Sequence, residues 1–237
     1  MNFILPKIHS HIWSLVDQLL VSGCNFVIGI LLARTLGLAG FGAYVIGLTY
    51  LLYANTFQAS LVVSPMMTII PAEENTILKV KLIRGFLGYA LLVATSTTFI
   101  IQIIASILGA WFPVLNLGEL QLPMIAAVFS FLMQDWCRKL LYAQTKNRTV
   151  FISDIFAYGG HLALLVFFAF QGQLNSVLAF WVLAITFSFS TMWIIVTQRL
   201  IPDFFSTKHV IRNQLSNSKN FLISWQLQWL ASSGVIM

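Results

Sequence analysis

The chain has 237 residues, of which 59% are hydrophobic and only 8% are charged. Soluble domains carry about 25% charged residues, so a soluble fold of this composition would leave large apolar surfaces in water. The composition therefore excludes an ordinary soluble protein and indicates an integral membrane protein. The net charge of +6 has to be interpreted within that class.

Six apolar runs are long enough to cross a hydrocarbon layer of about 30 Å as helices. In chain order they are Ile12–Thr35, Phe41–Val63, Gly85–Phe112, Pro123–Tyr142, Ile152–Phe170 and Val177–Thr197. A seventh run begins near Phe221 and reaches Met237. We therefore predict an all-α polytopic membrane protein.

The second run contains a proline close to its end. A proline removes a backbone donor and clashes with the preceding helical turn. We therefore expect Pro65 to end or kink the second helix and to leave Ser64–Pro71 as a turn at the membrane interface.

The basic residues indicate the orientation of the helices, because cytoplasmic loops carry an excess of lysine and arginine. With the predicted spans, twelve of the 13 basic residues fall on one side, and Arg34 falls on the other. The twelve are Lys7, Lys79, Lys81, Arg84, Arg138, Lys139, Lys146, Arg148, Arg199, Lys208, Arg212 and Lys219. The amino terminus is therefore predicted to be cytoplasmic. The positive charge reflects topology, and we predict no nucleic-acid partner.

The predicted spans divide the chain into three parts. Residues 1–197 form a lobe of six transmembrane helices, residues 198–220 a basic cytoplasmic linker, and residues 221–237 the start of a seventh helix. The seventh run faintly repeats the sequence of the first, and parallel repeats of six helices are a common transporter plan. We interpret the chain as the amino-terminal half of a larger, two-lobe protein.

Polar residues inside the first predicted helix share one face. Ser14, Gln18, Ser22, Asn25 and Gly29 follow one another at spacings of four, four, three and four residues, which places them on one side of the helix. Small and amide side chains of this kind pack membrane helices together, or they line a water-filled substrate cavity. Both interpretations remain open. We add the amides Asn55 and Gln58 of the second span to the candidate cavity residues.

The first span also carries Asp17 and Arg34. They lie about 25 Å apart along a helix, so they cannot pair with each other. Charged side chains near the two ends of a span can anchor the helix by reaching interfacial water. Alternatively, Asp17 meets a cation of another helix, and Arg34 attracts an anionic headgroup or pyrophosphate near the outer mouth.

The fourth span contains Asp135, Arg138 and Lys139. Their spacing of three and four residues permits local ion pairing on one helix. Contact of the basic pair with a substrate is the alternative interpretation.

The fifth span contains Asp154, Tyr158 and His161, again at spacings of four and three. A histidine aligned with a tyrosine and a carboxylate can relay protons across a membrane protein. A buried histidine can also serve simply as a hydrogen-bond partner between helices.

The sequence contains no recognisable motif for catalysis or for binding of a cofactor. There is no phosphate-binding loop, zinc-protease motif or closely spaced cysteine pair. Cys24 and Cys137 both fall inside predicted spans, which argues against a disulfide framework and a zinc site. We therefore predict no metal, no cofactor and no enzymatic activity.

Several parts of the chain resemble one family of membrane transporters. The matching residues are Leu15, Asp17, Gln18, Ser22, Asn25, Phe26, Ala33, Arg34, Leu36, Gly37, Phe41, Gly42, Tyr44, Ser64, Pro65, Met66, Met67, Gln134, Asp135, Arg138, Lys139, Asp154, Tyr158, Gly159 and Gly160. Through them the region from Trp13 to Gly160 resembles bacterial polysaccharide flippases, the O-antigen and capsule transporters of the multidrug/oligosaccharidyl-lipid/polysaccharide exporter superfamily.

The resemblance implies two six-helix lobes around a central cavity in the bacterial inner membrane. Such proteins move lipid-linked sugars by alternating access, driven by a proton or sodium gradient. It implies an undecaprenyl-pyrophosphate-linked glycan as substrate, membrane lipids as partners, and either a carboxy-terminal lobe or a second copy of the chain. The cavity candidates are Gln18, Ser22, Asn25, Arg34, Asn55, Gln58 and Arg138, and the candidates for ion coupling are Asp17, Asp135, Asp154, Tyr158 and His161.

Three alternatives remain. A multidrug or small-molecule exporter of the same superfamily would be expected to have acidic and aromatic cavity faces, whereas these spans carry Arg34, Arg138 and Lys139. An integral-membrane enzyme of surface-glycan assembly would be expected to have a large outer loop, but the predicted outer loops have ten residues or fewer. An inactive remnant of an interrupted gene is the third alternative.

Overall fold

The computed structural model describes residues 5–111 and 118–212, and every regular element in these ranges is helical. The helices are α1 (Leu5–Thr35), α2 (Gly37–Gln58), α3 (Ser64–Ala72), α4 (Thr76–Trp111), α5 (Gln121–Ala143), α6 (Asn147–Asp154), α7 (Gly160–Phe170), α8 (Ser176–Gln198) and α9 (204–212). A π-helical turn at Ala59–Val63 joins α2 to α3, and a second at Ile155–Gly159 joins α6 to α7. The predicted all-α class is confirmed for the described residues.

Five helical segments within the described ranges are long and apolar enough to cross a membrane. They are Ile12–Thr35, Gly37–Ala72, Thr76–Trp111, Asn147–Phe170 and Ser176–Gln198. By length and composition this is the architecture of a multi-pass membrane protein. Helix α5, the fourth predicted span, carries Asp135, Arg138 and Lys139 and is not among the five. The predicted count of six spans is therefore not confirmed.

Helix α5 is enclosed by the other helices. It packs most extensively against α8 and also contacts α2, α3, α4 and α6. All residues from Leu132 to Arg138 are buried, and the side chain of Trp136 has no exposed surface. Because neighbouring helices surround this part of α5, its polar side chains can be matched by partners on those helices. The polar centre of the bundle is therefore built around α5.

The prediction that Ser64–Pro71 forms an interfacial turn at Pro65 is wrong. The helical rod continues past Pro65 to Ala72 and forms no interfacial turn. The π-helical turn at Ala59–Val63 lies just before the proline, and the hydroxyl of Ser64 donates to the carbonyl of Ala59 at 2.9 Å. A local π-helical adjustment and a serine side chain both help a helix to accommodate a residue that lacks a backbone donor.

Helix α4 begins at Thr76, well before its predicted start at Gly85. The side-chain oxygen of Asn75 accepts the backbone N–H groups of Ile77 at 3.0 Å and of Leu78 at 3.2 Å. This arrangement is an N-terminal cap, which satisfies donors that a helix start leaves unpaired. The added turns bring α4 alongside α9.

The first part of the predicted linker is helical. Helix α9 covers 204–212, and the carboxylate of Asp203 accepts the backbone N–H of Phe205 at 3.2 Å at its start. The remainder of the linker and the predicted seventh span, which together form 213–237, lie outside the described residues.

Helix α9 packs against α4 at two glycines. A Cβ added to Gly85 would meet the backbone of Ser206, and a Cβ added to Gly88 would collide with the side chain of Thr207. The two helices can approach this closely only because both positions lack a side chain. The contact fixes α9 to the end of α4.

Candidate functional site

Three charged side chains from three helical segments meet inside the bundle. Nη2 of Arg138 on α5 lies 2.7 Å from Oδ2 of Asp17 on α1. Nε of the same guanidinium lies 2.6 Å from Oδ2 of Asp154, the last residue of α6. Both carboxylates have no exposed surface, and Arg138 is only 9% exposed. We call Asp17, Arg138 and Asp154 the charge cluster.

Neutral polar and aromatic side chains surround the charge cluster. The hydroxyl of Tyr142 donates to Oδ2 of Asp17, and the amide of Gln134 donates to Oδ1 of Asp154 at 2.9 Å. The rings of Tyr142 and Tyr158 lie 5.7 and 6.0 Å from the Arg138 guanidinium carbon. These distances are within the range of cation–π attraction.

The charge cluster contains one more negative than positive group. With all three side chains ionised its net charge is negative, and both carboxylates lie within 2.7 Å of the same guanidinium. Oδ1 of Asp17 and Oδ2 of Asp154 accept no hydrogen bond from the described residues, and the Nε–Asp154 contact is an ion pair without hydrogen-bond alignment. Addition of one proton or one monovalent cation would neutralise the group. A buried group with this charge balance would favour binding of one cation.

The position of Asp17 follows from the buried face of α1. Asp17, Val21, Cys24, Ile28 and Leu32 recur at spacings of three or four residues, and all are buried. Such a series forms one face of a helix, so the apolar members place Asp17 against the bundle. Of the two interpretations that the sequence left open, interfacial anchoring does not fit this residue. The structure shows the alternative, contact with a cation of another helix.

The position of Arg138 follows from one face of α5. Gln134, Arg138 and Tyr142 are each four residues apart, and all three contact the carboxylates of the charge cluster. Arg138 therefore forms its ion pairs with Asp17 and Asp154, whereas Asp135 interacts with Lys139 and Arg138 only through longer-range electrostatics. Gln134 and Tyr142 were not among the predicted site residues. Their spacing from Arg138 is the signal that could have identified them.

A cavity of about 300 Å³ lies beside the charge cluster. We call it the aromatic cavity. Its walls are formed by Asn25, Ile28, Gly29, Tyr44, Leu48, Leu51, Leu52, Phe131, Tyr158, His161, Leu183 and Phe187. Most of these side chains are apolar or aromatic, and a few carry polar groups, which is the usual composition of a small-ligand site.

The three residues predicted to share one helix face, Asp154, Tyr158 and His161, do not all reach the same site. Asp154 belongs to the charge cluster, and His161 lines the aromatic cavity. The π-helical turn at Ile155–Gly159 lies between Asp154 and His161 and changes the helical phase. His161 lines the cavity with its ring edge-on to Phe187, at a centroid distance of 6.2 Å. Tyr158 borders both features. His161 Nε2 has no hydrogen-bond partner among the described residues.

The predicted polar stripe of α1 lies beside the buried face and not on it. Gln18, Ser22 and Asn25 are all exposed, and the Gln18 amide lies 3.4 Å from the Ser22 hydroxyl. Only Asn25 of these three lines the aromatic cavity. The structure therefore does not bring Gln18 and Ser22 to the same cavity as His161.

Asp135 and Lys139 line an opening that Arg138 does not reach. With Asn55 they line a separate opening of about 340 Å³ between α2, α3 and α5. Oδ1 of Asn55 accepts no hydrogen bond from the described residues. This opening is distinct from the charge cluster.

Gln58 and Arg34 occupy contrasting positions. Gln58 is fully buried, and its amide donates to the backbone carbonyl of Leu132 at 2.5 Å, which links α2 to α5. Arg34 is exposed in the last turn of α1. Neither residue lines the aromatic cavity.

Comparison with known protein families, with curated proteins and with solved structures finds no match for this chain. The fold and the charge cluster define a class, an all-α multi-pass membrane protein with a buried ionic site.

Proposed function

We propose that the chain forms the amino-terminal lobe of an ion-coupled exporter in the bacterial inner membrane. Its proposed substrate is an undecaprenyl-pyrophosphate-linked oligosaccharide, which it translocates by alternating access without covalent chemistry. The proposal of ion coupling rests on the charge cluster of Asp17, Arg138 and Asp154. The choice of substrate rests on the resemblance of residues Trp13 to Gly160 to polysaccharide flippases.

The charge cluster supports ion coupling because a purely structural ion pair needs only one carboxylate for one guanidinium. Here two fully buried carboxylates share Arg138. Ionisable groups at membrane depth are costly, and they commonly mark proton or ion pathways. Binding of a proton to a carboxylate oxygen would leave one carboxylate and one guanidinium, a neutral pair. Loading and release of the ion would thereby change how strongly α1, α5 and α6 hold together.

The aromatic cavity supports transport and also limits what this lobe can hold. Tyr158 connects it to the charge cluster, so that occupancy of the cavity and of the ion site can influence each other. Ligand pockets for drug-sized molecules span about 300 to 1,000 Å³, and this cavity of about 300 Å³ lies at the lower limit. An oligosaccharide would therefore lie against the exposed stripe of Gln18, Ser22 and Asn25. A second lobe, or a second copy of the chain, would form the opposite wall.

The proposed topology follows the distribution of basic residues. The amino terminus, the start of α4, the turn between α5 and α6, and the end of α8 carry the lysines and arginines predicted to be cytoplasmic. Under the positive-inside rule these ends face the cytoplasm.

A multidrug or small-cation exporter is the second candidate. Arg138 is engaged by two carboxylates, so it does not offer a free positive charge to an anionic substrate in this conformation. The excess negative charge of the cluster and the aromatic walls of the cavity are features expected for a cationic substrate. This observation favours the second candidate, whereas the sequence resemblance favours the flippase.

Deletion of the gene in its own host distinguishes the two candidates. For a flippase, the deletion should trap lipid-linked oligosaccharide on the cytoplasmic face and reduce surface glycan. For a small-cation exporter, the glycan should be unchanged and sensitivity to cationic dyes should rise. Unchanged glycan together with no trapped intermediate would contradict the flippase proposal.

A further inference from the structure

A basic pocket lies at the end of the bundle where α4 begins and α8 ends. Its volume is about 360 Å³, and it also includes the turn between α5 and α6. Four of its lining residues are cations, Lys79, Arg84, Lys146 and Arg199, and none is acidic. We call these four residues and the space between them the basic pocket. Four like charges around one small space repel one another unless an anion lies between them.

The described structure leaves most of this positive charge without a counter-charge. The ammonium of Lys146 donates to the side-chain oxygen of Gln198, and that of Lys79 lies 3.4 Å from the carbonyl of Glu73. Both partners are neutral groups. None of the four cations forms an ion pair with a carboxylate of the described residues.

Two nearby carboxylates have other partners. The carboxylate of Glu73 accepts the backbone N–H of Asn75 at 2.9 Å and does not line the basic pocket. Asp203 acts electrostatically on Arg84, but its oxygens accept hydrogen bonds from the start of α9. An anion entering the basic pocket would therefore meet at least three cations that no carboxylate offsets.

The local environments of two of the cations also favour an anion. Burial lowers the pKa of the Lys146 ammonium below its usual range, which means that this charge lacks part of its hydration and would gain from an anionic partner. Arg199 has a left-handed backbone, with φ of 49° and ψ of 47°. A glycine would adopt this conformation more easily.

The surroundings of the basic pocket suit an amphiphilic ligand. Val80, Ile83 and Leu200 form part of its wall. Ile77 and Leu78, on the same turns of α4, are exposed apolar side chains. A ligand with an anionic head and an apolar tail would match the charged interior and the apolar rim together.

We propose that the basic pocket binds a phosphate group, as carried by an anionic phospholipid headgroup or by a soluble phosphate. The apolar rim favours the lipid as the source. Basic pockets between transmembrane helices are known to take phosphate-bearing lipid headgroups. The site is separate from the charge cluster, and the inference does not depend on whether the chain transports glycans.

The test compares two ligands on the purified full chain. Native mass spectrometry in detergent compares how many molecules of phosphatidylglycerol and of phosphatidylcholine stay bound to the chain. Titration calorimetry measures the binding of inorganic phosphate. We expect preferential retention of phosphatidylglycerol. Retention of phosphatidylglycerol without phosphate binding assigns the lipid as the source, and phosphate binding without lipid preference assigns the soluble anion. The absence of both would overturn the proposal.

Matched variants separate the basic pocket from general surface charge. The pair Lys79→Gln and Arg84→Gln removes two pocket cations, whereas Lys81→Gln and Lys208→Gln remove two cations outside its lining. Since each basic residue near a membrane surface contributes about a fivefold affinity, the pocket pair should weaken binding roughly tenfold or more. The outside pair should change it less than about twofold. Equal losses in both pairs would show general surface attraction and overturn the proposal.

The variant Arg199→Gly tests whether weaker anion binding could result from loss of folding. Glycine relieves the left-handed backbone at this position, so the variant should unfold at the same temperature as the parent or higher. Its affinity for the preferred anion should nevertheless fall about fivefold. Unchanged affinity in this variant would contradict a role of Arg199 in the basic pocket.

Discussion

Asp17 and Arg138 are 121 residues apart in the sequence and form a buried hydrogen-bonded ion pair of 2.7 Å. The pair joins the first helix to the enclosed helix α5. Asp154 binds the same guanidinium from a third segment. Arg138 is therefore the residue on which the ionic centre of the bundle depends.

Replacement of Arg138 by Met should be strongly destabilising. The change leaves two buried carboxylates without their cation, and loss of one partner of a buried ion pair costs about 3–5 kcal/mol. Asp17→Asn should cost less, because Asp154 and Arg138 remain as a neutral pair. Thermal unfolding of the detergent-solubilised chain measures both. Arg148→Met, an exposed cation outside the charge cluster, is the matched control and should change stability little. An Asp17→Asn variant less stable than Arg138→Met would contradict the proposed charge balance.

Replacement of Asp154 by Asn should abolish ion-coupled transport and preserve the fold. The amide has nearly the same shape, but it removes the excess negative charge that would take up the cation. In a strain lacking the chromosomal gene, Asp154→Asn should fail to restore export, measured as surface glycan or dye resistance. Asp203→Asn, a change at the start of α9 outside the charge cluster, should restore it. Full restoration by Asp154→Asn would exclude this carboxylate as the coupling group.

Gly85→Ala should weaken the contact between α4 and α9. The added Cβ would lie 2.7 Å from the backbone oxygen of Ser206, and overpacking of this kind costs about 1–3 kcal/mol. Limited proteolysis between α8 and α9 should accelerate as α9 detaches. Gly42→Ala on α2 meets no atom within 4 Å, so it should leave the cleavage rate unchanged. Equal cleavage rates for the two variants would show that attachment of α9 does not need the close approach of α4 and α9 at Gly85.

Gln58→Leu should reduce stability by about 1 kcal/mol, because hydrogen bonds between helices in a membrane protein are worth about 0.6–1.7 kcal/mol. The variant leaves the carbonyl of Leu132 without its donor from α2. Gln18→Leu, an exposed amide on α1, should have no measurable cost. Thermal unfolding distinguishes the two, and a larger effect at Gln18 would show that the exposed stripe has an unrecognised structural role.

Single-cysteine labelling tests the proposed topology. Cys24 and Cys137 are both buried, so the parent chain should react slowly with a membrane-impermeant thiol reagent. The variant Gln173→Cys, between α7 and α8, should react in intact cells. The variant Lys208→Cys, on α9, should react only after lysis. The reverse pattern would place the amino terminus outside the cytoplasm.

Local sequence patterns located two of the helices closely. The apolar runs at Val177–Thr197 and Pro123–Tyr142 match α8 and α5 to within two residues at each end. The error at Pro65 arose because a π-helical turn, which no simple periodicity announces, let the helix continue. The start of α4 was missed because its first turns follow the Asn75 cap and carry Lys79, Lys81 and Arg84, which interrupt the apolar run.

The sequence by itself determined that the chain is a helical membrane protein, because hydrophobicity and length are local properties that a bilayer imposes on each helix separately. It also placed Asp17, Arg34, Asp135, Arg138, Lys139 and Asp154 within predicted spans, where a charged side chain is costly, but it did not show which of them pair. Only the tertiary structure decided that Asp17, Arg138 and Asp154 meet one another. That outcome depends on how α1, α5 and α6 are rotated about their axes, and this rotation is set by packing of their buried faces.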